Sequence, residues 1–259
     1  MIIGIGALLA MGHWPPSRIA ARTVQGKGLP DPFQIYMKLY SGLEAGEHWL
    51  WFKGQWDIIP AGGIAQPLVG QNTLIRRQVH IDEDGGIVTR GWEGMVFSDI
   101  ESKRPVDRMI NPITGRDVFP FHSKEGPTVT RTTEQGIVIG ETAGARRTLP
   151  IELPAFIAGD DIWLQRPLRS SGPNPLRKED WPMEASSETY WTNMLSTFRG
   201  RISDILNESL ASAPMDFAVT GQSVCVPWLA MGESNVCLGW SGFGKKLRDP
   251  AEMPQEELS

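Results

Sequence analysis

TLIRRQVHI (residues 73–81), Asp84-Gly85-Gly86, and IVTRGWEGMVFSD (residues 87–99) together form the stretch on which the fold turns. Both outer runs alternate polar and apolar residues with the period of two that sends successive side chains to opposite faces of a strand. Between them the Asp-Gly-Gly break supplies residues that take positive φ at little steric cost, so the segment reads as a tight antiparallel hairpin.

The same grammar extends in both directions. Further strands are expected at His48 to Pro60, Val106 to Ile110, Val118 to Ser123, Thr128 to Thr133 and Ile137 to Glu141. Asn111-Pro112-Ile113-Thr114-Gly115 reads as a turn with proline early and glycine late. Beyond it, a strand is expected around Ile162-Trp163-Leu164, and a Pro- and Gly-rich loop over Ser170 to Trp181. Ser187 to Ile205 favours a long strand, although Arg201 to Leu210 could close as a short helix. Val219 to Val226 and Asn235 to Phe243 suggest a final hairpin around Met231-Gly232-Glu233-Ser234. With 28 Gly and 20 Pro, long helices have little room. The fold class expected is therefore all-β: an antiparallel meander forming a lipocalin-like closed or nearly closed barrel, with irregular loops and at most short helices.

Length and composition set the bounds. A chain of 259 residues can fold as one β unit and bury about three quarters of its unfolded surface. Residues 1–30 are expected to be a lead-in, 31–247 a single barrel-like domain, and 248–259 an acidic, Pro-containing tail strapped to the surface. Met1 to Met11 is apolar but lacks a preceding basic residue and a clear cleavage site, so the expected location is cytoplasmic, with export the alternative if that run is a residual signal. Cys225 and Cys237 are too few for a disulfide framework. A net charge of −5 with mixed signs argues against a nucleic-acid partner, because phosphate binding needs a concentrated basic face that Arg146-Arg147 is too short to make. No run reaches the length of a membrane span.

Chemistry is constrained largely by what is missing. The four histidines, His13, His48, His80 and His122, show no metal-ligand spacing. Neither a phosphate-cradling glycine loop nor a Gly-x-Ser-x-Gly elbow occurs. No cofactor and no metal are expected. Ten tryptophans are the distinguishing feature, and alternation sends Trp49 and Trp51 to one face of their strand and Trp56 to the other, which favours a Trp-walled pocket over a single core. His122, following Phe119-Pro120-Phe121, could project into an apolar cavity and move a proton. In Ile87 to Asp99, Arg90 and Trp92 share one face and Glu93 takes the other, and whichever charge points inward is a functional candidate, since a buried charge is costly unless paired. The catalytic candidates are His122, Glu93 and Arg90; the binding candidates are Trp51, Trp56, Trp92, Asn111, Tyr190, Arg199 and Trp228.

Three stretches carry a family resemblance: His48-Trp49-Leu50-Trp51-Phe52-Lys53-Gly54; Val96-Phe97-Ser98-Asp99 leading through the Asn-Pro-x-Thr-Gly turn to Phe121-His122; and Val226-Pro227-Trp228-Leu229-Ala230-Met231-Gly232 with Gly242-Phe243-Gly244-Lys245-Lys246. Together they resemble the bacterial and fungal family known as the domain of unknown function numbered eighteen thirty-eight, over roughly Asp31 to Pro254. The resemblance implies that Asn111, His122, Trp228 and Met231 occupy motif positions, and it implies no particular reaction. Around Asp99 to Val106 the chain departs from the family's aromatic-Arg-Asp-Pro pattern. Two functions are expected to compete. One is a cofactor-independent lyase, isomerase or cyclase acting on a terpenoid-, polyketide-, steroid- or lignin-like molecule; the other is a non-catalytic carrier or sensor of a similar hydrophobic ligand. The partner in either case is a hydrophobic or aromatic small molecule, with a homodimer allowed.

Overall fold

The computed structural model describes residues 30–139, 147–149, 155–232 and 235–254. The expected lead-in up to residue 29, Arg146, the tail beyond Pro254 and the end of the strand expected at Ile137 to Glu141 lie outside the described residues. Thirteen strands follow in order: β1 (Gly46–Pro60), β2 (Gln66–Ile81), β3 (Ile87–Ser98), β4 (Met109–Ile110), β5 (Asp117–Val118), β6 (Ser123–Thr133), β7 (Gly136–Ile139), β8 (Arg147–Leu149), β9 (Ala155–Ala158), β10 (Asp161–Pro173), β11 (Thr189–Arg201), β12 (Asp216–Ser223) and β13 (Val236–Leu247). Two short helices, α1 (Pro32–Tyr40) and α2 (Ile202–Leu206), complete the regular structure apart from single turns of 3₁₀ helix. Eleven strands form one antiparallel sheet in the order β8-β7-β6-β3-β2-β1-β13-β12-β11-β10-β9, and β4 pairs with β5 separately.

The deciding hairpin forms as read. Ile81 pairs with Ile87 and the register runs without a break to Gly70 opposite Ser98. Asp82 organises the turn: its carboxylate accepts from the amides of Asp84 and Gly86 at 3.1 and 2.7 Å, and Gly85 takes φ 77°. The ambiguous segment after Ser187 resolves as both readings, a thirteen-residue strand running directly into α2. By contrast, Ser170 to Pro173, expected in a loop, continues β10, because its partners Thr189 to Thr192 extend the ladder to them.

Helix α1 was not foreseen, and it organises the interior. Asp31 caps its first turn by accepting from the Gln34 amide at 3.0 Å, and Pro32 stands at the start, where a missing N–H costs nothing. Its far end is held by Lys246 of β13, whose ammonium donates to the carbonyls of Lys38 and Leu39 at 2.8 and 2.7 Å. Lys38 in turn donates to the carbonyls of Ile205 and Asn207 at the end of α2. Lysines at helix C-termini satisfy carbonyls that have no partner within the helix.

The sheet is strongly curled around this helix. Strands β2 and β10 lie five places apart in the sheet, roughly 24 Å if it were flat. Yet Arg77 of β2 and Arg166 of β10 place their guanidinium carbons 3.9 and 5.2 Å from the centre of the same Tyr40 ring. One core cluster accordingly joins Tyr36, Met37 and Leu39 of α1 to Leu50, Val79, Ile137, Ile162, Phe198 and Phe217. A second gathers Trp56, Ile58, Val69, Met95, Phe97, Leu229 and Met231. A third, on the outer face, packs Met253 of the tail on Trp51 and Leu247.

Phe198 sits at the centre of the first cluster, fully buried, with Tyr36, Tyr40 and Phe217 rings 5.6–5.9 Å away. Phe198→Ala is expected to cost about 4 kcal/mol, measured by urea denaturation; a loss below about 1 kcal/mol would mean that α1 does not anchor the curl.

Candidate functional site

The register assigns each strand residue to a face. Leu50, Phe52, Trp56 and Ile58 of β1 stand on the same side as Gln71, Thr73, Ile75, Arg77 and Val79 of β2, and as Thr89, Glu93, Met95 and Phe97 of β3. This is the side that α1 covers. Glu93 is therefore the inward charge of β3, and Arg90 and Trp92 face outward.

Outward-facing candidates have partners that account for them. Trp92 and Trp49 hold Arg76 between them, with the guanidinium 5.2 and 6.0 Å from the two rings. Trp51 donates from its indole to Asn72 at 2.8 Å. Arg199 is paired with Asp161 and Asp216 at 3.1 and 3.3 Å over the Trp163 ring. Arg90 lines a shallow, open depression of about 410 Å³ with Gly46, Glu47, Gln78, Val79 and His80.

Four other candidates converge in the second cluster. Trp56 meets Phe97 edge-on at 4.7 Å and stacks with Trp228 at 6.4 Å, and Phe97 lies 5.4 Å from Trp228. Buried Asn111 donates to the Leu229 carbonyl at 2.7 Å and reaches the Met231 sulfur at 2.9 Å, while its own carbonyl accepts from the amides of Ile113 and Thr114. The Asn-Pro-x-Thr-Gly turn is thereby buckled onto the Pro-Trp-Leu-x-Met-Gly segment. His122 is engaged at both nitrogens: Nδ1 accepts from the Phe97 amide at 3.0 Å, and Nε2 lies 3.2 Å from Asp107. Because Nδ1 accepts, the proton sits on Nε2 and no lone pair is left for a substrate. The indole of Trp56 donates to Gln71 at 2.5 Å, and Gln71 donates to Thr73 at 2.8 Å. Tyr190 is buried on the inner face of β11, and burial holds its hydroxyl well above the ordinary phenol range.

The inner face beside α1 carries a denser group of ionisable side chains, of which only Glu93 was foreseen. Tyr40 stacks on Tyr36 at 5.0 Å and presents its ring to Arg77. Arg77, 5% exposed, donates to the Tyr40 backbone carbonyl at 2.8 Å. Arg166 donates to the Tyr36 hydroxyl at 2.8 Å and holds its guanidinium carbon 5.2 Å from the centre of the Tyr40 ring. His48 stands opposite Arg77 on β1, and Lys246 lies close enough to both to oppose their charge. No carboxylate among the described residues comes within 4.0 Å of Arg77 or Arg166.

Titration follows from this crowding of positive charge. Burial pushes Tyr36 up to about 12. For Tyr40 burial also acts upward, but Arg77 and Arg166 outweigh it and hold the phenol below its ordinary value, with Glu93 opposing them. Burial, then Lys246 and Arg77, pull His48 down to about 4, and burial with Arg77 pulls Lys246 down to about 7. Tyr40, Glu93 and Arg166 are only partly buried, although burial is the largest influence on Tyr40 and Arg166. One signal in the sequence could have pointed here: Arg76-Arg77 in an alternating strand forces one guanidinium inward.

These features define an all-β half-barrel with a helix seated in its curl and a cluster of ionisable side chains beside that helix. The chain belongs to the family described as "Protein of unknown function (DUF1838)", which it matches over residues 47–258. No curated protein matches it.

His48 supplies a pH test. Its pKa falls from 6.5 in the unfolded chain to about 4 in the fold, so the unfolded state binds more protons between those values. Stability from this group is complete above pH 6.5 and is lost as pH falls toward 4. His48→Gln is expected to flatten the stability profile in that window, read from urea midpoints; an unchanged slope would place the imidazole in water.

Proposed function

We propose that the protein is a cofactor-independent acid–base enzyme, a lyase or isomerase, acting on a bulky apolar or aromatic small molecule bound on the inner face beside α1. The observation that carries this reading is a single phenol, Tyr40, stacked on Tyr36 and flanked by two arginines without a carboxylate at ion-pair distance among the described residues. Two guanidiniums beside a phenol stabilise its anion, which brings a weak acid toward the range where it both gives and takes protons.

In this mechanism Tyr40 as phenolate removes a proton from a substrate carbon activated by a neighbouring carbonyl, becoming neutral phenol. Returning that proton to another atom of the substrate isomerises it; delivering it to a departing group completes an elimination. Arg166 then faces the oxygen on which negative charge builds, where a fixed donor is most effective. Tyr36 and Arg77, one on the ring and one against the backbone carbonyl, keep Tyr40 from turning. His48, pulled down to about 4, stays neutral beside them.

The chain has only three tyrosines, Tyr36, Tyr40 and Tyr190, so their titration can be followed one by one with carbon-13 at the ring hydroxyl carbon. One resonance is expected to titrate below 10 and two well above it, and the early one should vanish in Tyr40→Phe. Three late titrations would remove Tyr40 as the acid–base group. Tyr40→Phe is also expected to lower turnover by about 10²-fold or more once a substrate is in hand.

A further inference from the structure

We infer that the molecule taken up beside α1 is an anion, a carboxylate-bearing ring compound whose head group lies between Arg166 and Arg77. This rests on the reading of that inner face as the site and adds the charge of its occupant.

The lack of ion pairs at two buried guanidiniums carries the inference. Arg77 from β2, Arg166 from β10, Lys246 from β13, His48 from β1 and Glu93 from β3 share the inner face with the two tyrosines of α1, and Glu125 of β6 stands opposite Glu93 in the register. Glu93 has an interaction of its own. A buried guanidinium is normally paired, because removing a lone charge from water costs several kcal/mol. Arg77 has instead a backbone carbonyl and an aromatic face, and Arg166 has the Tyr36 phenol oxygen and the rings of Tyr40 and Phe198. Even an ionised Tyr40 offsets only one of the two. Among the described residues, the hydrogen bonds of these side chains leave several of their ten N–H donors unused, and a planar fork of donors matches a carboxylate.

Unsatisfied polar atoms mark the same region. Ser41 Oγ, at the end of α1, and Thr89 Oγ1, on β3 diagonally across from Arg77, are buried without a hydrogen-bond partner, as is His48 Nε2. Buried polar atoms are seldom left unpaired, and where they are, a ligand or water is the usual explanation. Beside the arginines the partly buried Ile75 and Met194 continue the same face, which gives an apolar bed for the body of the molecule. Overall negative charge does not oppose this, since the inner face is shielded from the surface carboxylates.

Calorimetric titration of the full chain with 1-naphthoate, with 1-naphthalenemethanol and with inorganic phosphate tests the inference. The carboxylate is expected to bind roughly tenfold or more tightly than the alcohol of the same ring size, and Arg166→Gln to remove that advantage. Saturating naphthoate should also move the Tyr40 titration upward, because the anion neutralises the arginines. Arg199→Gln, which changes an outer-face arginine, should bind as the parent does. Equal binding of carboxylate and alcohol, no binding of naphthoate, or full retention in Arg166→Gln would overturn the inference, as would phosphate binding at equal strength. A Tyr40 that titrates early in a chain that ignores naphthoate would sink the anion alone; a Tyr40 that titrates late would sink the acid–base reading whatever the calorimeter shows.

Discussion

The grip of two arginines on one tyrosine ring is the contact on which the rest of this structure depends. Arg77 and Arg166 come from strands five places apart, and only a sheet curled around α1 lets both reach Tyr40. Aromatic contacts of Phe198 with Tyr36 and Tyr40 fill the space between them. The helix is too short to be stable by itself. It holds because its cap, its stacked tyrosines and the lysine on its last carbonyls are all supplied or completed by the sheet.

The same arrangement concentrates positive charge in a protein whose sum is −5. Surface carboxylates such as Glu47, Asp117 and Asp180 are paired with arginines on the outside, where ion pairs contribute little to stability. Arg77 and Arg166 stand where the dielectric is low, so their effect on Tyr40 is large. Net charge therefore describes solubility and says nothing about the inner face.

A second assembly, around Phe97, performs a different task. Asn111, Trp228 and Met231 lock an excursion between β3 and β6 onto the segment that joins β12 to β13. Trp240 contacts both core clusters and lies over Gly221, where an added Cβ would meet the indole at 2.4 Å. The motif residues thus secure the end of the half-barrel away from the arginines.

Alternation and turn chemistry made the all-β class, the hairpin at Gly85 and the final β12–β13 pair legible, because these depend on neighbours a few residues apart. Asn111, Trp228 and Met231 stood out as motif positions, but their convergence came only from the fold. Helix α1 was missed: nine residues carry little periodicity, and the Asp31-Pro32 start is easily passed over. Arg76 and Arg77 show where sequence stops. That they face opposite sides follows from the pleat alone. That Arg76 lies outside between two tryptophans and Arg77 inside on Tyr40 was decided by the direction in which the sheet curls, a property of long-range packing that no local pattern contains.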